Sequence, residues 1–439
     1  MNLSRRNFLY LLGTGTTASI LAHSLQQAYS SNETINLSAN NEFGNLVADP
    51  QGIIDLPPGW QYKVLSKVGE TMSDGIKVPN HHDGMGAFAG IDGSTVLVRN
   101  HELHPLQVPN NLPSTIPQYD AACPGCTTTL IVDRDRKLQK HYLSLAGTNR
   151  NCSGGVTPWG SWLSCEEDIA TPYAPPGYSI EQVIAAWGKV KRKHGYNFEV
   201  PITGQVVEPI PLKAMGRFRH EAIAIDPNTG YVYQTEDREN GCFYRFRPNE
   251  AKNLAAGGTL EALRIKNSFS IDTGINFPLN RPLEVEWIGL NDVDPKHDTL
   301  RYEAQSKGAA IFRRGEGMCL TNDNQVYFTC TNGGKAQVGQ IFRYNPQQEN
   351  LELFLESSGT EELDYPDNLT LAPFGDLIVC EDGRGEQRLI GVTPEGKAYI
   401  LARNAMNNSE FAGVCFAPDN QTMFVNIYNP GLTLAIWGF

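Results

Sequence analysis

The segment EAIAIDPNTGYVYQTED, from Glu221 to Asp237, contains two largely apolar runs on either side of a turn rich in Asp, Pro, Asn and Gly. This order is typical of a β-hairpin, because the turn residues allow a tight reversal and the apolar runs form strands. Five other segments share the order, with differences of one or two residues in the turn. They start at Asp83, Cys152, Glu316, Asp367 and Ala412.

Six similar hairpins along one chain predict an all-β fold, a six-bladed β-propeller with loop and short helical insertions. The starts at Glu316, Asp367 and Ala412 are 51 and 45 residues apart, close to a four-stranded blade of roughly 40–50 residues. Two further elements are predicted: a helix near Ser179–Lys193, and a strand within Ile53–Lys67 that closes the ring onto the last blade. A two-sheet sandwich is the alternative, and the six repeated hairpins disfavour it.

Composition and charge narrow the classes of partner. The 439 residues are 40% hydrophobic and carry a formal net charge of −12, so nucleic acid, which binds basic surfaces, is not expected as a partner. A small anionic substrate can bind such a chain only where an arginine cluster or a bound cation reverses the local field. A closed propeller leaves no sheet edge to cover, so a monomer is expected.

The first 31 residues predict a twin-arginine export signal, followed by a single propeller domain over residues 32–439. Arg5 and Arg6 stand in the context SRRNFL, and a weakly apolar run follows from Phe8 to about Ala22. A short membrane anchor is the alternative, but the run contains several Gly and Thr residues and is short for a bilayer. We therefore expect the twin-arginine machinery as a partner, a periplasmic or extracellular location, and no membrane span after signal cleavage.

Nine cysteines leave at least one thiol unpaired in an exported protein. Cys123 and Cys126 form a C-x-x-C pair, for which a disulfide, two unpaired structural thiols and a redox or metal-binding pair all stay open. Cys319 and Cys415 lie inside apolar runs and are predicted to be small core residues.

The hairpin frame also predicts where polar residues meet. The second strand runs antiparallel to the first, so the first residue of each hairpin and about the fifteenth lie at the same end. If each first strand is the innermost of its blade, these residues surround one mouth of the central channel. The first positions hold Asp83, Cys152, Glu221, Glu316, Asp367 and Ala412. The opposite positions hold Asn100–Glu102, Glu166–Glu167, Glu236–Asp237, Thr331, Glu381–Asp382 and Asn426.

Such a ring of carboxylates is expected to share protons or hold cations; the alternative is that the acids at the strand ends are simply solvated. Oxygen ligands suit calcium, and a thiolate among carboxylates suits a transition metal such as iron or zinc. Arg314 and Arg219 lie two residues before Glu316 and Glu221, on the same face of their strands. A guanidinium beside a metal cluster suits a phosphate group, which accepts a bidentate pair of hydrogen bonds. Structural pairing with the carboxylates is the alternative.

Several motifs together resemble those of the PhoX-type alkaline phosphatases, and the resemblance runs from about residue 80 to 430. It implies a six-bladed propeller that hydrolyses small phosphate monoesters with iron and calcium as cofactors. The motifs are NHE from Asn100, GRFRHEA from Gly216, RRGEG from Arg313, YPDNL from Tyr365 and CEDGRG from Cys380.

The resemblance also implies roles for particular residues. Cys152 would be the iron-ligating thiolate, Glu316 a metal ligand in the catalytic group, and Arg314 the residue that grips the phosphate. The strand-face argument adds Arg219 as a second substrate contact. The implied reaction is metal-assisted phosphoryl transfer to water, which needs no protein nucleophile. The candidate metal ligands are Cys152, Glu221, Glu316, Asp367, Glu167, Glu166, Glu102, Asn100, Asp237, Glu236 and Glu381.

Two other functions fit the same frame. A calcium-dependent lactonase or phosphotriesterase would use Asn100, Glu221 and Asp367, and it would have no use for Cys152. A non-catalytic periplasmic scaffold would hold structural calcium and turn over no ester, because a fold alone does not define a function.

Overall fold

The computed structural model describes residues 43–107, 112–169 and 177–439, which form one compact unit. The predicted export signal and its cleavage site lie outside the described residues. Strands dominate the described part, which also contains two α-helices, and neither helix is long and apolar enough to cross a membrane.

The strands follow the predicted hairpins along the chain. We call a hairpin, together with the strands that follow it up to the next hairpin, a hairpin unit. Two strands precede the first unit: β1 (Ile54–Asp55) and β2 (Gln61–Lys67). The first three units contain β3 (His82–Ala89), β4 (Thr95–His101), β5 (Gly125–Val132), β6 (Leu138–Thr148), β7 (Asn151–Val156), β8 (Ser161–Glu166), β9 (Asn197–Pro201), β10 (His220–Ile225), β11 (Val232–Glu236), β12 (Phe243–Pro248), β13 (Gly258–Ile265) and β14 (Leu283–Gly289).

The last three units complete the described strands. Each begins, like the others, with two strands joined by a tight turn, which we call its first and second strands. These units contain β15 (Gly315–Leu320), β16 (Val326–Cys330), β17 (Gln340–Asn345), β18 (Asn350–Glu356), β19 (Pro366–Leu371), β20 (Leu377–Glu381), β21 (Arg388–Val392), β22 (Ala398–Asn404), β23 (Phe411–Phe416), β24 (Met423–Ile427) and β25 (Leu432–Trp437).

The first strands of the units lie around a common axis. Each contacts the first strand of the unit before and after it, in the cyclic order β3, β7, β10, β15, β19, β23 and back to β3. Within a unit the strands pair antiparallel in chain order. Hydrogen bonds divide the strands into five sheets, because β14 pairs with β18 and joins the third and fourth units. The prediction of an all-β, propeller-like fold with few helices is confirmed.

The N-terminal and C-terminal strands share one sheet. β2 pairs antiparallel with β25, from Gln61 opposite Trp437 to Lys67 opposite Leu432, which confirms the predicted closure onto the last unit. The rest of the predicted segment behaves differently, since β1 pairs with β22 of the fifth unit. Pro57 and Pro58 separate the two strands, because proline has no N–H to donate to a ladder.

Two α-helices lie in the insertions of the described part. The first, α1 (Ile180–Trp187), falls inside the predicted helical segment, and Ser179 caps it by exchanging hydrogen bonds with Gln182. The second, α2 (Leu300–Ser306), was not predicted. It has seven residues, and Arg301 is buried along with Leu300 and Ala304, so no apolar stripe marks it in the sequence.

Apolar side chains fill the space between neighbouring sheets. Between the third and fourth units, for example, the rings of Phe243 and Phe328 stack with centroids 4.4 Å apart. Cys319 and Cys415 pack in two such clusters, as predicted. All nine thiols are free, so Cys123 and Cys126 do not form a disulfide in this structure.

Glycines let the innermost strands approach one another closely. A Cβ on Gly317 of β15 would lie 2.5 Å from the carbonyl oxygen of Asp367 in β19. A Cβ on Gly84 of β3 would lie 2.6 Å from the Cα of Ser153 in β7. Neither distance leaves room for a methyl group, so a larger side chain would push the units apart.

We expect Gly317→Ala to destabilise the fold by roughly 2 kcal/mol, because the added methyl overpacks the contact between two inner strands. The measurement is the midpoint of urea unfolding. Gly289→Ala is the matched control, since this glycine ends β14 and no atom lies within 4 Å of its Cβ position. Equal midpoints for the two variants would contradict the close approach.

Candidate active site

A β-bulge lies near the start of the first strand in every hairpin unit. The register shifts there, so that two first-strand residues face one residue of the second strand. In the second unit, Asn151 pairs with Glu166 but Gly154 pairs with Ser164. Bulges redirect side chains. In the sixth unit the shift comes one residue later, and in the other five it redirects Asp83, Cys152, Glu221, Glu316 and Asp367.

A single hydrogen bond closes the same end of every unit. The residue after the second strand donates its N–H to the carbonyl of the residue before the first strand, over 2.9 to 3.2 Å. Four of the accepting residues have a left-handed backbone, including Arg150 (φ 51°) and Arg314 (φ 50°). This bond fixes two more side-chain positions beside each bulge. The donor–acceptor pairs are Glu102–His81, Glu167–Arg150, Asp237–Arg219, Thr331–Arg314, Asp382–Tyr365 and Tyr428–Glu410.

Residues at two or three of these positions in each unit line one cavity of about 250 Å³ at the axis, which we call the central pit. Nine carboxyl groups, two guanidinium groups, one thiol and one phenol line it. Six of the nine acidic residues are buried, Asp367 and Glu410 are half-buried, and Asp382 is exposed. Water therefore screens the mutual repulsion of most of these carboxyls poorly. The lining residues are Asp83, Glu102, Arg150, Cys152, Glu167, Glu221, Asp237, Arg314, Glu316, Asp367, Asp382, Glu410 and Tyr428.

Most of the predicted site residues lie in the central pit. Arg219 is just outside its lining, with its guanidinium 3.7 Å from Glu167 and 4.0 Å from Asp237. The predicted residues in the lining are Cys152, Glu221, Glu316, Asp367, Glu167, Glu102, Asp237 and Arg314. Four predicted metal ligands are not in it: Asn100, Glu166, Glu236 and Glu381.

Three of these four are the last residues of second strands, where alternation turns the side chain away from the residue that follows. Their carboxylates bind protein donors instead. Glu166 accepts hydrogen bonds from the imidazole of His194 and the N–H of Gly195. Glu381 accepts two from the guanidinium of Arg388. Glu236 accepts one from the hydroxyl of Tyr244. The structure thus gives them structural partners, away from the pit.

Asn100 supports the site without lining it. Its amide nitrogen donates to the carbonyls of Cys152 (3.0 Å) and Ser153 (2.7 Å). Its amide oxygen accepts from Trp162 and Ser164. Asn100 therefore holds the bulge that presents the Cys152 side chain, and both ends of its amide are occupied.

Five further residues line the pit, and the predicted ligand set did not include them. Asp83 and Asp382 stood in the predicted ring but were not selected. The other three lie one residue outside a strand, and the strand-end rule would have found them. The five are Asp83, Arg150, Asp382, Glu410 and Tyr428.

Three carboxyls of the pit face one another at short range. Each of Glu221, Glu316 and Asp367 offers an oxygen, and these oxygens all lie within 4.8 Å of one another. Burial raises the pKa of Glu221 well above its usual range, and Glu316 adds to the shift. Burial and the neighbouring Asp382 raise the pKa of Asp367 to about 8. Such a group must hold protons or a cation at neutral pH.

Guanidinium groups neutralise one side of the pit. In the second, third and fourth units, the residue just before the first strand is an arginine: Arg150, Arg219 and Arg314, respectively. Arg314 lies 2.8 Å from Asp237 and 2.6 Å from Glu316. Burial alone would raise the pKa of Asp237, but Arg314 outweighs it and holds this pKa below its usual range. The same positions in the fifth, sixth and first units hold Tyr365, Glu410 and His81.

The opposite side of the pit is richer in carboxyls. Burial raises the pKa of Glu410 well above its usual range, and the neighbouring Asp382 adds to the shift. Burial likewise raises the pKa of Asp83, helped by Glu102. This side offers oxygen ligands alone, which suit a hard cation such as calcium.

Cys152 is the one sulfur in the pit lining. Its Sγ lies 3.3 Å from the carbonyl oxygen of His220. Burial raises the pKa of the Cys152 thiol well above its usual range, and Glu221 adds to the shift. A bound transition metal would stabilise the thiolate in these surroundings. The donors present therefore fit a metal with one sulfur and several carboxylate ligands.

The fold and the pit together define a class of protein: a propeller-like protein whose axial pit is lined by side chains of the kinds that bind metals. The family model described as alkaline phosphatase PhoX matches residues 41–144 and 136–431. The chain therefore belongs to the PhoX alkaline phosphatase family, and it is a phosphoric monoester hydrolase.

The chain is similar to several solved structures, and the first of them supports the fold. The structure described as Pseudomonas fluorescens PhoX in complex with vanadate, a transition state analogue, has 18% identity and a TM-score of 0.66, covering 88% of this chain and 96% of that chain. A putative gluconolactonase has 12% identity and a TM-score of 0.43, covering 90% and 97%. Virginiamycin B lyase from Staphylococcus aureus has 12% identity and a TM-score of 0.41, covering 86% and 99%. No curated protein matches the chain.

Chelator-treated protein should become less stable as pH rises. The folded pKa of Asp367 is about 8, above its ordinary value of 3.8, so the folded state keeps a proton that the unfolded state releases. This stabilisation is complete at low pH and is lost as pH rises through about 8. We expect the melting temperature to fall from about pH 5 to about pH 9, and to fall less steeply in Asp367→Asn. A melting temperature that rises over this range would contradict the expectation.

Adjacent acids of the fifth unit should behave differently when neutralised. Glu381→Gln leaves the buried Arg388 without its carboxylate, so we expect a loss of about 3 kcal/mol in unfolding free energy and unchanged metal content. Asp382→Asn removes a pit carboxyl, so we expect lower metal content with little loss of stability. Urea unfolding and elemental analysis measure the two effects. Equal loss of metal in both variants would contradict the different placement of the two side chains.

Proposed function

We propose that the central pit is the active site of a secreted phosphomonoesterase that uses iron and calcium to release inorganic phosphate from small phosphate esters. The observation that carries the proposal is the convergence of nine carboxyls, one thiol and two guanidiniums on one buried pit. A phosphate ester is anionic, so it can enter this pit only when cations offset the carboxylates.

The two kinds of donor suggest which residues hold which cofactor. Cys152 would ligate iron together with Glu221 and Glu316, because sulfur and carboxylate ligands suit a transition metal. Asp367 lies close to Glu316 and Glu221 and also to the acid-rich side. When bound, the cations would act as Lewis acids on the phosphoryl oxygens and activate water. The calcium ligands would come from Asp83, Glu102, Glu167, Asp237, Asp382 and Glu410.

Arg314 is the residue that we assign to the substrate phosphate. Its left-handed backbone is held by the hydrogen bond from the N–H of Thr331 to its carbonyl, and its guanidinium reaches the pit. Five N–H donors in a planar fork leave capacity for phosphoryl oxygens beyond the contacts to Asp237 and Glu316. Arg219 stands farther back and would add positive charge more than a direct contact.

The pit supports attack by water on the phosphoryl group. Tyr428 is the one hydroxyl of the lining, and it donates to Glu102 over 2.6 Å. The Cys152 thiol has a raised pKa, so it is a poor nucleophile and a better metal ligand once deprotonated by the metal. Glu316 contacts Arg314 and is also one of the proposed metal ligands. A phosphate held by Arg314 would therefore lie beside the bound metal.

The placement of Asn100 and Cys152 disfavours the two alternatives. A lactonase or phosphotriesterase with one calcium would use Asn100 as a ligand, but both ends of its amide already make hydrogen bonds. Cys152 faces the pit, where a site for calcium alone has no use for a thiol. A calcium-bound scaffold would not need the pit-lining arginines.

The remaining features of the proposal concern architecture and location. We propose that the six hairpin units are six blades, since their first strands contact one another in cyclic order. The blades form one domain over residues 32–439, and a monomer is expected. Residues 1–31 would direct export by the twin-arginine machinery to the periplasm or the exterior.

Arg314→Ala is expected to lower kcat/KM for a chromogenic phosphomonoester by roughly 10²- to 10³-fold, because the charged donors to the phosphoryl oxygens are lost. Arg313→Ala is the matched control. Arg313 pairs with Asp272, outside the pit, so its removal should change kcat/KM less than about threefold. Similar losses of kcat/KM in both variants would contradict the proposed role of Arg314.

Cys152→Ser should abolish iron binding and turnover, since a hydroxyl is a far weaker ligand for a transition metal than a thiolate. Cys165→Ser is the control, because Cys165 is equally buried on β8 but does not line the pit. Elemental analysis and phosphomonoester hydrolysis, before and after chelation, provide the readouts. Full activity of metal-stripped Cys152→Ser would end the metal-dependent proposal.

A further inference from the structure

We propose a second metal site outside the central pit, formed by Asp120, Cys123 and His194, that binds one Zn²⁺ as a structural clip. The three side chains come from two insertions: the segment that leads into β5, and the segment between α1 and β9. The site takes no part in the proposed phosphatase chemistry, and nothing in the argument for the pit depends on it.

The three ligand atoms lie close enough together for small side-chain shifts to bring them around one zinc ion. The Cys123 sulfur, a His194 nitrogen and an Asp120 oxygen all lie within 4.8 Å of one another. Sγ of Cys123 is 3.4 Å from Nε2 of His194, and Oδ2 of Asp120 is 3.9 Å from the same nitrogen. Zinc bonds of about 2.3 Å to sulfur and about 2.0 Å to nitrogen separate two tetrahedral ligands by roughly 3.5 Å.

The imidazole of His194 is oriented as metal-binding histidines usually are. Its Nδ1 lies 2.7 Å from Oε1 of Glu166. A carboxylate accepts, so Nδ1 carries a proton, and a metal bound at the cluster would replace the proton on Nε2. A carboxylate behind a histidine in this way fixes the tautomer and raises the basicity of the ligand nitrogen. Glu166, which does not line the pit, would thus orient a ligand of this second site.

Asp120 is held in place by the second of the two segments. Its Oδ2 accepts the N–H groups of Lys191 and Arg192, and its Oδ1 accepts that of Ala122. Lys191 and Arg192 occupy both lone-pair directions of Oδ2, and Ala122 occupies one of Oδ1. One direction on Oδ1 is therefore left for a metal. A water would complete the four ligands that zinc requires.

Burial indicates a structural role for the site. Cys123, His194 and Asp120 are 2%, 0% and 5% exposed, so a substrate cannot reach them. Three protein ligands and a water are more usual in catalytic zinc sites, but this burial excludes a substrate and so indicates a structural role here. Cys126 is not part of the cluster and packs with Leu143.

The clip would support the second hairpin unit, which has three strands. The segment that it anchors leads directly into the N–H groups of Gly195 and Tyr196, which hold Glu166. Glu167 of the pit is the next residue. Zinc at this site would therefore stabilise the fold beside the pit without touching the substrate.

Cobalt substitution tests the site, because thiolate-bound Co²⁺ gives a charge-transfer band in the near ultraviolet. Cys152→Ser serves as the background, since it removes the thiolate of the pit. In this background we expect a cobalt–thiolate band, lost when Cys123→Ser is added and retained when Cys126→Ser is added. Bound cobalt should fall by about one equivalent per chain with Cys123→Ser. An unchanged band with Cys123→Ser, or its equal loss with Cys126→Ser, would overturn the proposal.

Thiol labelling of the wild-type chain gives an answer that depends on no substitution. Protein at a fixed urea concentration is labelled with iodoacetamide, with added Zn²⁺ or after chelation, and the labelled peptides are quantified by mass spectrometry. We expect Zn²⁺ to slow labelling of Cys123 at least about tenfold and to change that of Cys126 much less. Equal effects on the two thiols, or none, would overturn the proposal.

Discussion

One hydrogen bond, repeated in every hairpin unit, helps to position the side chains of the central pit. It joins the N–H of the residue after the second strand to the carbonyl of the residue before the first strand. It closes the end of the hairpin next to the bulge, so both ends of the bulged segment are held. Two or three side chains per unit thereby line the pit. The backbone geometry determines which positions line the pit, and the residue types at those positions determine its chemistry.

The residue types create a charge problem that the fold solves only in part. Nine carboxyls meet two guanidiniums in the pit lining, and burial prevents water from screening them. Arg150 and Arg314 neutralise the side formed by the second to fourth units. The other side keeps carboxyls with raised pKa values, such as Asp83 and Glu410. Such a site is costly without cations, and bound cations would both stabilise it and let it accept the phosphate group of the proposed substrate.

The sequence predicted well which positions of the hairpins lie at the site. It predicted less well which side chains at the strand ends point into the pit. Glu221 and Glu316 were found because they open repeated hairpins, and both line the pit. Glu166 was predicted with Glu167, but only Glu167 lines it. Successive side chains of a strand point to opposite faces. An error of one position at a strand end therefore assigns to the pit a side chain that points into the core. Arg150 was missed because it lies one residue before β7, outside the first and fifteenth positions that the predicted ring used.

The sequence by itself determined the repeated hairpins, the all-β propeller-like fold and the kinds of ligand available, because turn residues and apolar runs are local signals. Its motifs also placed the chain with the alkaline phosphatases. Only the tertiary structure decided which acids share the pit, where the arginines neutralise them, and that Asp120, Cys123 and His194 meet in a second cluster. Those contacts join residues far apart in the chain, and their geometry depends on bulges and strand ends that local sequence does not specify.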